Sequence, residues 1–160
     1  MTSAGTLGVT VGVALASIVA GVVFLYPVRA TGPEPIAYGR DTCASCRMHV
    51  SQPGFAGEMR DPDGTLTKYD DVGCLVHAMI AKRGEIPEAW VEDHATGRLV
   101  PLLGATLVRG RPGTTPMASG VVAFADRVSA ESFARAEEGE IVALEQLVEE
   151  SAPLAREEAR

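Results

Sequence analysis

Two thiols, a thioether and an imidazole occur within seven consecutive residues, Cys43-Ala-Ser-Cys46-Arg-Met48-His49. Thiolate and thioether sulfurs are soft ligands that select Cu(I) over harder cations. A Cys-x-x-Cys pair alone serves structural zinc, dithiol redox chemistry and disulfides equally well. Met48 therefore favours a copper site formed by Cys43, Cys46 and Met48, with His49 as a further candidate ligand.

A second methionine, Met117, lies in the segment Thr-Pro-Met-Ala-Ser-Gly at residues 115–120. This context is polar and rich in turn-forming residues, whereas a core methionine usually belongs to an apolar stripe of a helix or strand. Met117 is thus a candidate ligand or gate for the same copper ion.

Zinc is the main competing interpretation of the Cys-x-x-Cys pair. Cys74 and His77 follow near the start of a predicted helix, so Cys43, Cys46, Cys74 and His77 together have the layout of a treble-clef zinc site. Such a module would serve protein–protein interaction. Cys74 and His77 can equally be packing residues, because free cysteine is among the most buried residue types. Dithiol redox catalysis is a third alternative, but no apolar strand precedes Cys43.

Composition excludes other classes of function. The net charge is −7 and no Lys/Arg cluster or aromatic series is present, which argues against nucleic acid binding. The chain lacks a glycine-rich phosphate loop, a nucleophile elbow and paired carboxylates in an apolar setting. Asp70 and Asp71 are explained as a helix cap. A binding protein is therefore expected rather than an enzyme.

Residues 1–30 form a signal or membrane-anchor segment, predicted as one apolar helix. Residues 7–28 carry no charge, and at 1.5 Å per residue they span the roughly 30 Å of a bilayer core. Val28-Arg-Ala30 resembles a signal-peptide cleavage site, which contains small residues. The segment could therefore be cleaved as a signal or retained as an anchor. The protein is expected on the extracytoplasmic side, where a Cys43–Cys46 disulfide would compete with copper. Residues 31–37 read as a Pro/Gly-punctuated linker.

The remaining residues alternate between strand and helix patterns. Hairpins are predicted over 55–69, around an Asp-Pro-Asp-Gly turn, and over 89–100. Asp70 or Asp71 begins a helix that runs to about Lys82. After a loop at 109–116, the patterns predict a strand at 121–125, a helix at 129–136 capped by Ser129, a strand at 139–143, a helix from Leu144, and an acidic flexible tail at 151–160.

Residues 64–72 and 139–147 are similar to each other, each with a turn, a strand and an acidic helix start. Met48 precedes the first stretch and Met117 the second at comparable distances. The sequence thus predicts an α+β domain over 38–150 made of two ββα units related by an internal repeat, at about 38–84 and 89–150, each contributing one methionine to a shared edge.

Taken together, these motifs resemble the nitrous-oxide-reductase accessory proteins, the NosL-type copper chaperones of the cell envelope. The resemblance extends over about ninety residues. It rests on Asp41-Thr-Cys43-x-x-Cys46-x-Met48-x-Val50, Tyr69-Asp-Asp-Val-Gly-Cys74, Ala89-Trp-Val-Glu-Asp93, Thr115-Pro-Met117-x-x-Gly120 and Val122-Ala-Phe-Ala-Asp126.

The resemblance implies a small α+β protein that holds Cu(I) and passes it toward the copper centres of nitrous oxide reductase, in exchange with copper donor and recipient proteins of that assembly through a membrane transporter complex. Two departures stand out. Many members of the family are lipoproteins, whereas no cysteine ends the apolar segment here. Arg47 stands where the family pattern leads us to expect glycine.

Overall fold

Short strands, each of three to five residues, form two separate antiparallel sheets in the computed structural model, which describes residues 32–82 and 88–158, with side chains as far as residue 152. The strands are β1 (Gly57–Arg60), β2 (Leu66–Tyr69), β3 (Glu88–Glu92), β4 (Leu99–Pro101), β5 (Thr106–Arg109), β6 (Val121–Phe124) and β7 (Glu140–Val142). The helices are α1 (Val72–Ala81), α2 (Arg127–Ala136) and α3 (Leu144–Glu158), with a 3₁₀ turn at Leu102–Gly104.

The two sheets share one strand arrangement. The first has the order β2-β1-β3-β4 and the second β6-β5-β7. In each, the first strand pairs both with the strand that follows it and with the strand that follows the next helix. The α+β fold class is therefore confirmed, and each sheet is built on a ββαβ sequence of elements.

This arrangement differs from the predicted repeat in two ways. The hairpin β3–β4, which the sequence assigned to the second unit, belongs to the first sheet because β3 pairs with β1. The central strand β5 was missed, since residues 106–108 were given no element. By strand order, the stretch at 64–72 corresponds to residues 120–128, which also lead from a flanking strand into a capped helix, and not to 139–147.

Helix boundaries follow the capping residues. Asp71 caps α1, as predicted, by accepting a hydrogen bond of 2.6 Å from the Gly73 backbone N–H. The predicted cap of α2, Ser129, is wrong: Asp126 is the N-cap and accepts from the Ser129 backbone N–H at 2.9 Å. An N-cap carboxylate commonly bonds the third residue of its helix, which places the start three residues earlier.

The ends of the chain bear on the predicted targeting and tail segments. Helix α3 includes most of the segment 151–160 that was predicted as a flexible tail. The predicted signal or anchor at 1–30 lies outside the described residues. Among the helices that are described, none combines the length and the apolar character needed to cross a bilayer.

We call the sheet β2-β1-β3-β4 sheet 1 and the sheet β6-β5-β7 sheet 2. The core lies on both faces of sheet 2. Alternate residues of its strands point to opposite sides, as in any β-sheet. Leu107 and Ala123 belong to the main core, together with Met59 of sheet 1 and Leu75 of α1. On the other face, a smaller cluster joins sheet 2 to α2, and it consists of Val108, Val122, Phe124 and Ala130. Burial of these apolar side chains is the main source of stability.

Part of the predicted linker 31–37 contacts the folded domain. The Glu34 backbone N–H donates to the buried carboxylate of Glu58 at 2.9 Å, and the Lys68 Nζ donates to the Pro35 carbonyl at 2.9 Å. Burial raises the pKa of Glu58. Residues 34–35 are therefore held against the strands of sheet 1.

We expect Gly139→Ala to destabilise the domain by about 1–3 kcal/mol. A Cβ at this position would lie 2.7 Å from the Arg109 carbonyl oxygen, and so would push β7 away from β5. Gly104→Ala is the matched control, because a Cβ there meets nothing within 4 Å. Urea denaturation of both variants measures the difference, and equal unfolding midpoints would contradict the close approach of the two strands.

Candidate metal centre

The Cys-x-x-Cys motif lies on a narrow hairpin formed by residues 39–50. The Gly39 N–H donates to the Val50 carbonyl at 2.9 Å, and the Cys43 N–H donates to the Met48 carbonyl at 2.8 Å. The chain reverses at Arg47, whose N–H bonds the Cys43 carbonyl and whose φ is +66°. This left-handed conformation is one that glycine adopts without strain. A glycine, which the resemblance leads us to expect here, would fit this turn.

Backbone contacts attach this hairpin to β2. Cys43 forms a parallel bridge with Lys68, and the Ala44 N–H donates to the Lys68 carbonyl at 2.9 Å. The buried carboxylate of Asp70 accepts a hydrogen bond of 2.7 Å from the Ser51 N–H, at the exit of the hairpin. The hairpin is thus fixed at two points, to β2 at Lys68 and to the junction of β2 and α1 at Asp70, and its thiols are placed against the start of α1.

Cys74, in the first turn of α1, completes a cluster of three thiols. The sulfur atoms of Cys43, Cys46 and Cys74 all lie within 4.8 Å of one another. Cys43 and Cys74 are buried, and Cys46 is half-buried at the rim. Among the described residues this is the one group of three or more Cys, His, Asp or Glu side chains arranged to hold a metal ion.

The three thiols differ in acidity. The pKa of Cys43 is lowered, whereas the pKa values of Cys46 and Cys74 are raised. The Cys74 thiol donates to the Cys43 sulfur, as do the backbone N–H groups of Cys46 and Asp70, and this lowers the Cys43 pKa to about 5. The pKa of Cys74 is raised, first because it is the donor to Cys43 and then by burial. Burial and the Cys43 thiolate raise the pKa of Cys46. At neutral pH the cluster therefore holds one thiolate and two thiols.

A loop from sheet 2 is fixed beside the same helix start by Asp71. The Asp71 carboxylate accepts hydrogen bonds from the Thr115 hydroxyl at 2.5 Å, the Ser119 hydroxyl at 2.5 Å and the Met117 N–H at 3.1 Å. Gly73 permits this approach, since a Cβ there would lie 2.4 Å from the Ser119 Cβ. The loop that carries Met117 is therefore held against the helix that carries Cys74.

The other candidate ligands lie at different depths. Met117 is half-buried and packs against the main core, as Cys46 does. Met48 is 54% exposed, and His49 is also exposed. His77 is outside the thiol cluster and lines a separate cavity of about 300 Å³ with Arg109 and neighbouring residues. The structure thus brings together three of the four side chains of the treble-clef arrangement.

Sequence reasoning missed the roles of Asp70 and Asp71. Both were interpreted only as a helix cap, yet each carboxylate also binds a distant segment that borders the site. The sequence does contain a signal for these roles. Two acidic residues directly precede the helix turn that contains Cys74, and only one of them can cap the helix. The second therefore needs another set of donors.

We expect Asp71→Ala to cost about 3 kcal/mol of stability, because it removes the helix cap and leaves buried donors of the 115–120 loop without an acceptor. Asp63→Ala serves as control, since that carboxylate is exposed and bonds the Thr65 N–H within a local turn. Denaturant unfolding provides the measurement. A loss of under 1 kcal/mol in Asp71→Ala would show that the loop is held by other contacts.

The Cys43 pKa predicts a pH dependence of the metal-free, reduced protein. A group whose pKa is lower in the folded state stabilises the fold above its unfolded pKa of about 8.5, and this stability is lost as the pH falls through about 5. The free energy of unfolding should therefore rise between pH 5.5 and 8, and rise less in Cys43→Ser. Equal pH slopes for the two proteins would contradict a Cys43 thiolate.

Comparison with known proteins agrees with this geometry. The model of the NosL family matches residues 36–152 of the chain. The fold is similar to the crystal structure of the copper chaperone NosL from Shewanella denitrificans, with a TM-score of 0.62 and 18% sequence identity over 71% of this chain and 92% of that chain. No curated protein gives a significant match. Because the family match covers well over half of the residues, the chain belongs to the NosL family.

Proposed function

We propose that this protein is an extracytoplasmic Cu(I) metallochaperone that carries copper for assembly of the copper centres of nitrous oxide reductase. The observation that carries the proposal is the cluster of Cys43, Cys46 and Cys74, whose sulfurs are gathered in the structure. Sulfur is the ligand type that Cu(I) prefers. Family membership and the likeness to a NosL copper chaperone support the same cargo.

The spacing of the sulfurs suits a metal ion after a small adjustment. With metal–sulfur bonds of about 2.3 Å, three sulfurs around one ion lie about 4 Å apart. The sulfurs of the cluster are at most 4.8 Å apart, so closure needs a movement of less than about 1 Å. Cys43 supplies a thiolate at neutral pH, and binding of the cation releases protons from the other thiols that ligate it.

Graded exposure suggests how the ion is passed on. Cys43 and Cys74 are buried, while Cys46 is half-buried and its neighbour Met48 is exposed. An incoming ligand therefore reaches the ion from the side of Cys46 and Met48, and it adds to the ion before the buried sulfurs leave. In this proposal Met48 is the ligand that an incoming Cu(I) ion contacts first. Met117 or His49 completes the site while the thiols take over the ion or release it.

The setting of this exchange is also part of the proposal. Residues 1–30 direct the domain to the periplasmic side of the cell envelope, either as a cleaved signal or as a membrane anchor. The partners are copper donor and recipient proteins of nitrous oxide reductase assembly, reached through a membrane transporter complex. The protein acts as a carrier, with the ion as cargo and no bond chemistry of its own.

Structural zinc makes the opposite prediction about folding. A small zinc module depends on its metal for the fold itself. Here a core that spans both sheets, α1 and α3 surrounds the cluster, and it includes Met59, Leu75, Leu107 and Leu147. Such a core provides stability without a metal ion. His77 also lies outside the thiol cluster, so the fourth ligand of the zinc arrangement is not in place.

The test is Cu(I) titration of the reduced full chain against a competing chelator under anaerobic conditions, with circular dichroism before and after metal removal. We expect one tightly bound Cu(I) and an unchanged fold after removal. Loss of an outer-shell partner weakens metal binding by roughly 10- to 100-fold. Cys43→Ser and Cys74→Ser each remove a ligand, so each should weaken Cu(I) binding by more than that. Met48→Leu should slow transfer to the chelator.

His77→Ala is the matched control, because this residue lies on the same helix as Cys74 but outside the cluster. Its Cu(I) affinity should equal that of the wild type. Co-purified zinc whose removal unfolds the domain would overturn the chaperone proposal. Wild-type affinity in both cysteine variants would show that the thiol cluster is not the copper site.

A further inference from the structure

The hairpin that carries the candidate metal ligands also carries two arginines that form no ion pair with any described residue. Arg40 and Arg47 are exposed, and among the described residues neither side chain forms a hydrogen bond or an ion pair. Both lie on the hairpin 39–50, on either side of Cys43 and Cys46. Arg47 stands between Cys46 and Met48 in the chain, so an exposed positive charge is adjacent in sequence to both of these candidate ligands.

Elsewhere in the described part of the chain, cationic side chains are commonly paired with carboxylates. The ion pairs are Arg60–Glu88, Lys68–Asp41, Lys82–Asp61, Arg109–Glu140, Arg109–Glu150, Arg111–Glu137 and Arg127–Glu131. The one acidic residue of the hairpin, Asp41, pairs with Lys68 at 2.9 Å and also interacts electrostatically with Arg40. Arg40 and Arg47 are thus the exposed charged side chains of the hairpin, and both are positive on a chain whose net charge is −7.

Arg47 keeps its place in an unfavourable backbone conformation. At φ +66° a residue with a Cβ is strained relative to glycine. Within residues 32–82 and 88–158 the Arg47 side chain forms no ion pair that would offset this strain. A strained residue whose charge points to no internal partner fits a role toward an external one.

We propose that the hairpin 39–50 is the docking surface for a copper-exchanging protein that presents carboxylates around its own soft donor. Arg40 and Arg47 would pair with those carboxylates and bring the donor to Met48 and Cys46. This inference rests on the proposed function and adds to it the charge of the partner surface. The exposed thioether of Met48 directly follows Arg47 on this hairpin, so in this proposal docking and ligand exchange occur at one surface.

The charges act on the rate of encounter more than on the equilibrium. Complementary charge steers association and raises on-rates by 10-fold or more in favourable cases. At about 0.1 M salt the screening length is about 10 Å, so charges at the docking surface dominate over the rest of the protein. The net charge of −7, acting alone, would favour a basic partner instead. The local and the global charge therefore predict opposite preferences.

The experiment loads the reduced, metal-free full chain from two Cu(I)-bound donor peptides. Both peptides carry the same Met-x-x-Met donors, flanked by aspartates in one and by lysines in the other. Formation of Cu(I)–thiolate absorbance in the ultraviolet, followed by stopped flow at about 0.1 M salt, gives the loading rate. We expect the aspartate peptide to load the chain about three- to tenfold faster. At about 1 M salt the two rates should converge.

The variant Arg40→Gln/Arg47→Gln should remove this preference and leave the equilibrium Cu(I) affinity unchanged. Arg98→Gln is the matched control, an exposed arginine that is also without an ion pair but lies outside the hairpin, and it should keep the wild-type preference.

Equal rates for both peptides, or faster loading from the lysine peptide, would overturn the docking proposal. A preference for the aspartate peptide that survives in the double variant would do the same. The salt series on the wild type decides the question even where the double variant fails to fold. Failure to load from either peptide would instead contradict the proposed copper binding, so the two failures are distinguishable.

Discussion

Two adjacent buried carboxylates, Asp70 and Asp71, determine how the parts of the candidate site meet. Consecutive side chains at the junction of β2 and α1 point in different directions. Asp70 therefore reaches the hairpin with Cys43 and Cys46, and Asp71 reaches the loop with Met117. Buried carboxylates are tolerated only where hydrogen-bond donors surround them. Each one consequently requires that its segment be in place, which couples the folding of the first sheet to that of the second.

The same two residues also affect the pKa values of the thiols. The negative charge of Asp71 adds to the rise in the Cys74 pKa, while the Asp70 N–H stabilises the Cys43 thiolate. One thiolate amid protonated thiols keeps the total charge of the buried cluster small, because a second negative charge close by is unfavourable. This arrangement of charge favours close packing of the three sulfurs in the absence of a metal ion.

Sequence patterns predicted local elements better than their assembly. The first hairpin, α1 with its Asp71 cap and β6 followed from alternation and turn residues, and the Cys-x-x-Cys pair was singled out by its ligand chemistry. Strand β5 was missed because its four residues owe their place to pairing with β6 and β7, which are distant in the chain, and local patterns do not report such pairing. Cys74 remained ambiguous for a similar reason. A buried cysteine on an apolar helix face is identical in sequence whether or not two other thiols approach it in space.

The left-handed conformation of Arg47 has a consequence for how this domain changes under selection. Glycine at this position would relieve the strain of the turn and would fit the same backbone. Variants chosen for thermal stability alone should thus drift toward glycine and lose a positive charge at the rim of the cluster. Under the docking proposal, stability and the speed of copper exchange compete at this single position.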